Sequence, residues 1–331
     1  MEVLGLLALL AAGLGTRLAF VHLLPVLPIS DFRALLDFAL QMRDGSLTLG
    51  GFYWAALNPG LPLLLSPLLR IVPDSPEATA RLATAVITGL LPAFPFLLWR
   101  GVLPLSIRLL AGGLLALWPG QIAFSGVLAQ DNWVLFPTVA LGALAVRSLA
   151  LGRGSPVTAG LFYALGVSIR QELLVVLLPL LAAAGLASRQ DGRWKKRLLL
   201  CLLATGIPLG LLALLRHQAT GHFSLTTRHA GLSVLGAYVP GATANAWIDP
   251  IPYVASIEPE LMRDPEELQR QGIRLTLREV ARRPAFHAAR IAILNLNFAT
   301  AGEAASLYWS LLEPQVLPGS HHSRAQKAAR L

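Results

Sequence analysis

Two aspartates stand just past apolar runs: Asp31 in Ile29-Ser30-Asp31-Phe32, after the run Val3 to Pro28, and Asp131 in Ala129-Gln130-Asp131-Asn132-Trp133, after the run Leu103 to Val127. If those runs cross a bilayer, both carboxylates sit where lipid meets water. A carboxylate held there is placed to accept a proton from a hydroxyl brought to the same boundary, which is the work of a general base. A second charged group, Arg170-Gln171-Glu172, interrupts another apolar stretch. An arginine at such a place is costly unless it snorkels or pairs, and its planar guanidinium can grip a phosphate through two parallel hydrogen bonds. Plainer readings stand beside these. Either aspartate would cap the helix it precedes, and Arg170 with Glu172 would form a boundary ion pair.

The elements that must position these groups follow from composition. Hydrophobic residues make up 55% of the 331 residues and charged residues 14%, with a mean hydropathy of +0.61. A soluble domain carries roughly 25% charge, so the chain is expected to live in lipid. The formal net charge of +9 does not point to nucleic acid, because the basic residues are scattered through short loops without a stripe or interleaved aromatics. The one cysteine, Cys201, lies inside an apolar run and offers neither an intramolecular disulfide nor a metal cluster. A helical span needs about 20 apolar residues. Spans are expected at 3–28, 79–99, 104–127, 133–151, 156–170, 171–188 and 197–216, the first retained rather than cleaved. The fold class is therefore all-α, a polytopic transmembrane helix bundle.

Basic residues crowd alternate loops: Arg100 and Arg108, Arg147 and Arg153, then Arg189, Arg193, Lys195, Lys196 and Arg197. Such loops stay cytoplasmic. The N-terminus is then inside, and Asp31, Asp131 and Glu172 are outside. Trp99, Trp118, Trp133 and Trp194 fall near span ends, as interfacial aromatics do. Between the first two spans, residues 31–43 carry Phe32, Leu35, Leu36, Phe38, Ala39 and Met42 at helical spacing. After the turn Asn58-Pro59-Gly60 comes Leu61–Val72, too short to span and interrupted by Pro62 and Pro67. Two outward-facing interfacial helices are expected there. The chain divides into a transmembrane module, 1–216, and a segment 217–331 holding an outer loop, an amphipathic helix and a C-terminal stretch. That helix is punctuated by Asp264-Pro265-Glu266-Glu267 at its start and by Arg282-Arg283-Pro284 at its end, with Gly272 as a possible division. Residues 285–312 hold Arg290, Asn295, Asn297 and Glu303, so a further span there stays open, and the tail from Gly319 is expected to be disordered.

Taken in order, Arg17 inside the first span, Ser30-Asp31-Phe32, a helix ending in Gly45, Tyr53-Trp54, Asn58-Pro59-Gly60-Leu61-Pro62-Leu63-Leu64, Ala116-Leu117-Trp118-Pro119-Gly120-Gln121-Ile122 and the acidic loop at Asp131 resemble the membrane-embedded GT-C glycosyltransferases. That group contains bacterial aminoarabinose transferases and protein O-mannosyltransferases, and the likeness covers most of residues 10–290. It implies an enzyme that takes a sugar from a polyprenyl-phosphate donor to a glycan, lipid or protein acceptor, with inversion, at the outer face of a plasma (bacterial inner) membrane. On that reading Asp31 is the base and Asp131 orients the acceptor or assists. Arg170 with Glu172 binds the donor, and Arg228 and His229, in Thr226-Thr227-Arg228-His229, are lesser candidates of the same kind. Tyr53 and Trp54 would stack on the sugar or the lipid head, or anchor the interface. There is no Asp-x-Asp pair and no His/Cys ligand set, so no metal or other cofactor is expected. Two departures count: Asn58 stands where the family commonly has a first proline, and the family continues with further spans past the point where Leu331 ends this chain. A shortened member, a fragment or an inactive relative all fit the latter. A lipid or sugar transporter and a non-catalytic membrane scaffold remain as alternatives.

Overall fold

A computed structural model describes residues 1–28, 30–45, 51–152, 154–186, 194–225, 227, 230–242, 248–263, 265–293 and 296. Two compact units emerge: Met1–Leu225 together with Glu303–Leu331, the latter outside the described residues, and Thr226–Gly302. The regular elements among the described residues are helical throughout. In the first unit they are α1 (Glu2–Leu23), α2 (Ser30–Arg43), α3 (Gly51–Ala56), α4 (Gly60–Ile71), α5 (Pro76–Gly89), α6 (Ala93–Leu98), α7 (Leu105–Leu117), α8 (Pro119–Phe124), α9 (Gln130–Leu151), α10 (Pro156–Ile169), α11 (Leu173–Val176), α12 (Leu178–Leu186) and α13 (Trp194–Thr220).

Among the described residues, four stretches are long and apolar enough to cross a membrane: Glu2–Leu23, Pro76–Leu98, Gln130–Leu151 and Trp194–Thr220. Gly60–Ile71, Leu105–Leu117, Pro156–Ile169 and Leu173–Gly185 are shorter apolar helices. The protein is an all-α membrane helix bundle. Proline sets where several expected spans stop short. α1 ends at Leu23, before Pro25 and Pro28, and not at residue 28. The span expected at 104–127 divides at Trp118, which is extended (φ −63°, ψ 112°) so that Pro119 opens α8. Pro92 likewise separates α5 from α6. A proline has no N–H to donate and crowds the preceding turn, so an apolar run is no guarantee of an unbroken helix. Pro67, Pro137 and Pro208 behave otherwise, lying inside continuous α4, α9 and α13.

Each break strands C-terminal carbonyls without an intrahelical donor, and hydrocarbon offers no water in exchange. Arginines from other helices answer them. Arg17, fully buried in α1, donates to Leu115 O (2.9 Å) and Ala116 O (2.8 Å) at the end of α7, as well as to Gly13 O in its own helix. Arg216 donates Nε to Trp54 O (3.0 Å) and Nη2 to Leu57 O (3.3 Å) at the end of α3. Arg147 reaches Leu98 O at the end of α6 (2.9 Å), and Arg70 reaches Arg43 O at the end of α2 (3.0 Å). In every case a cation meets the negative pole of a helix.

The same bonds define two ends of the unit. At one, Glu2 pairs with Arg100 (3.0 Å) and Arg108 (2.6 Å), Ser148 donates to Ala184 O, and Arg197 donates to Gly154 O. The opposite end holds the start of α9, the end of α10, and α2 to α4. Of the described acidic residues in this unit, all except Glu2 are carried on elements at that opposite end. There the apolar stripe of α2 (Leu35, Leu36, Ala39) packs with Leu61, Leu65 and Leu69 of α4 and with Trp133 and Ile169. Leu64, Leu68 and Ile71 of α4 stay exposed, the surface an interfacial helix needs. Trp118 and Trp194 are also exposed, whereas Trp133 is buried and donates Nε1 to Thr84 Oγ1 at 3.0 Å, so it is a core residue and not a belt residue.

The second unit contains α14 (Ala230–Gly236), α15 (Ile251–Ile257), a 3-10 turn (Pro259–Arg263), α16 (Pro265–Arg282) and a helical stretch at 284–293. Leu235, Val239, Val254, Leu261, Leu268 and Leu275 form its core. Gly272 does not divide α16. A Cβ there would lie 2.5 Å from the carbonyl carbon of Gly231, so the glycine permits close packing of α14. Arg153, Arg189, Arg193, Asp264, most of the doubtful stretch beyond 293 and the tail from Gly319 lie outside the described residues.

Candidate functional site

Asp31 lies in the first turn of α2, exposed, with no hydrogen bond or ion pair among the described residues. A carboxylate is favoured at a helix start by the dipole, and nothing in its surroundings competes for its lone pairs. Its neighbour Phe32 packs on a small cluster of Val26, Val127 and Ala129. Ala129 is the N-cap of α9, so the same cluster supports the helix start that carries Asp131.

Asp131 does not cap α9: the helix begins at Gln130 without a side-chain cap bond, and the Asp131 carboxylate instead accepts from Nη1 of Arg170. Arg170 follows the last residue of α10 in extended conformation (φ −137°, ψ 110°), and its Nε lies 3.6 Å from Glu172 Oε2. One guanidinium is thus flanked by two carboxylates, with side-chain exposures of 36% for Arg170, 59% for Asp131 and 60% for Glu172. Water screens such a group, so it contributes little to stability. Its ions remain able to change partners.

Three neighbours fix this geometry. Asn132, fully buried, donates Nδ2 to Phe124 O and to Val127 O, both at 2.8 Å, which ties the preceding loop to the start of α9. Gly60 opens α4 directly against α10, where a Cβ would lie 2.7 Å from Ile169 N. The Pro59-Gly60 step therefore allows the backbone approach that seats the residue before Arg170. Arg81 lines a narrow cleft with Pro28, Phe32, Glu77, Gly126, Val127 and Leu128, between the supports of Asp31 and Asp131. Its Nη1 donates to Val26 O at 3.2 Å, while its Nε is buried without a partner. Sequence reasoning passed over Arg81 and Asn132. A cation two residues inside an expected span was the available signal for the first; nothing local marked the second.

The remaining candidates separate. Trp54 is fully buried, edge-on to Phe38 (ring centroids 5.4 Å apart), and offers no accessible ring face to a sugar. Its assignment to substrate binding is corrected to core packing. Tyr53 stacks on the same Phe38 at 5.5 Å and is partly exposed. Arg228 and His229 lie outside the described residues. The candidate site is thus Asp31, Asp131, Arg170 and Glu172, with Arg81 lining a cleft among residues that support the first two. It can accept a proton at one carboxylate and meet an anion with guanidinium groups. No protein-family model matches this chain, and no curated protein matches its sequence.

Proposed function

We propose that this chain is a membrane glycosyltransferase of the GT-C kind, moving a sugar from a polyprenyl-phosphate donor to a hydroxyl of a glycan, lipid or protein acceptor. One observation carries the reading: the helix starts bearing Asp31 and Asp131 rest on one cluster, beside a cleft containing Arg81, at the end of the bundle away from the Arg100, Arg147 and Arg197 loops. Basic loops are retained in the cytoplasm, so this arrangement supports an outward-facing site in a plasma membrane, with the chain crossing several times and its N-terminus inside.

In the proposed reaction Asp31 takes the proton of the acceptor hydroxyl. The oxygen attacks the anomeric carbon from the side opposite the phosphate, the bond from that carbon to the phosphate oxygen breaks, and the configuration inverts. The polyprenyl phosphate leaves with the bonding electron pair, and guanidinium groups stabilise its added charge. Arg81 lines the cleft, and Arg170 can exchange an exposed carboxylate for phosphate. An apolar groove of about 600 Å³ along α7, lined by Leu110, Gly113, Leu114, Leu117, Trp118 and Pro119, gives the isoprenoid tail a place in the lipid.

The test is transfer from a radiolabelled polyprenyl-phosphate sugar by the full chain in nanodiscs. Asp31→Asn is expected to lower turnover by about 10²- to 10⁴-fold, the usual contribution of a general base, with membrane insertion unchanged. Wild-type turnover in that variant removes Asp31 from the chemistry. Uptake into sealed vesicles without covalent transfer replaces the reading with transport.

A further inference from the structure

The second unit matches most of its charges internally. Arg274 and Arg278 both pair with Glu258, the latter at 2.8 Å. Arg282 pairs with Glu279 (2.7 Å) and Arg270 with Glu267 (3.1 Å). Arg290 breaks the pattern. Its guanidinium lies over the ring of Tyr238, 5.4 Å from the centroid, with no carboxylate or carbonyl partner among the described residues, and its Nη1 is buried and unbonded. His287 also lies against this ring, its centroid 5.3 Å from that of Tyr238. His287 is only 4% exposed, and its Nδ1 is also buried without a partner among the described residues.

His287 and Arg290 are three residues apart within the helical stretch 284–293, so they share a face. Two buried nitrogens without partners, on one face and against one aromatic wall, make a concentration of unmet hydrogen-bonding capacity. Native interiors rarely leave such capacity unfilled. A guanidinium supplies a fork of donors, and an imidazole N–H supplies another. Donors from two side chains suit a tetrahedral oxyanion better than a flat carboxylate, which the guanidinium alone would satisfy.

We infer that Tyr238, His287 and Arg290 form a phosphate-binding site, separate in its residues from the acid-bearing site of the first unit. The phosphate is either free in solution or the headgroup of an anionic phospholipid. Both sources present the same oxygens to the same nitrogens, and they are distinguished by experiment.

One arm titrates inorganic phosphate into the full chain in neutral maltoside micelles, read by ³¹P line broadening. The other compares hydrogen exchange of 284–293 in phosphatidylcholine nanodiscs with and without phosphatidic acid. A response in the first arm identifies free phosphate; a response in the second alone identifies the headgroup. In either case Arg290→Gln and His287→Gln are each expected to weaken binding at least about tenfold, while Arg283→Gln, at an exposed neighbour, leaves it unchanged. Should Arg290→Gln disturb exchange across the whole unit, Arg290→Lys serves instead, keeping the charge but losing the fork, with binding again weaker by about tenfold. No response in either arm overturns the site. Equal weakening by Arg283→Gln does so too, because general positive charge would then account for binding.

Discussion

Arg17 and Arg170 are both arginines of the first unit, and their surroundings differ in kind. Arg17 is fully buried and donates to three backbone carbonyls, two of them at the broken end of α7. Arg170 is partly exposed, hydrogen-bonded to the Asp131 carboxylate and ion-paired with Glu172 at 3.6 Å. A carbonyl at a helix end has nowhere else to turn inside lipid, so Arg17 is held by the fold itself. Exposed carboxylates have water as a substitute, so Arg170 can be released to an incoming anion at small cost. Removing interior arginines should therefore damage stability, whereas changing the rim should damage activity.

Variants can break that contrast. Arg17→Gln should cause the largest loss of stability, roughly 3 kcal/mol, because buried acceptors lose a charged donor; thermal unfolding in detergent measures it. Arg216→Gln follows at about 2 kcal/mol, since it frees Trp54 O and Leu57 O. Gly60→Ala should cost about 1–3 kcal/mol by overpacking against Ile169, and it should lower transfer by displacing Arg170. Asp131→Asn comes last, within about 1 kcal/mol of wild type in stability, yet with clearly reduced transfer. If Asp131→Asn lowered the unfolding temperature as far as Arg17→Gln, the distinction between fixed interior and exchangeable rim would fail.

Much of the architecture was legible in the residue order, because apolar composition and helical spacing report burial directly. The stripe Leu35, Leu36, Ala39 announced α2, and the same residues are buried against α4. Periodicity does not say which partner covers a face, so Trp133 could be placed near a span end but not assigned to Thr84. Proline breaks were visible as letters, yet whether Pro67 continued a helix or Pro119 ended one depended on tertiary neighbours. At the candidate site the residues offered Asp131 as a cap or as a group that orients the acceptor or assists the base, and its pairing with Arg170 was not among those readings. The choice rests on Arg170, 39 positions later, which no local window contains. Asn132 escaped for a related reason: its acceptors are main-chain oxygens, which carry no mark in a sequence.

The partnership of Arg17 with α7 also bears on biogenesis. α1 leaves the ribosome before α7, because Leu115 and Ala116 are synthesised 98 and 99 positions after Arg17. In that interval the cation has only Gly13 O among its final acceptors. The newborn helix must therefore hold a charge in or near the bilayer until α7 arrives beside it, so α1 settles only once a helix made later has joined it.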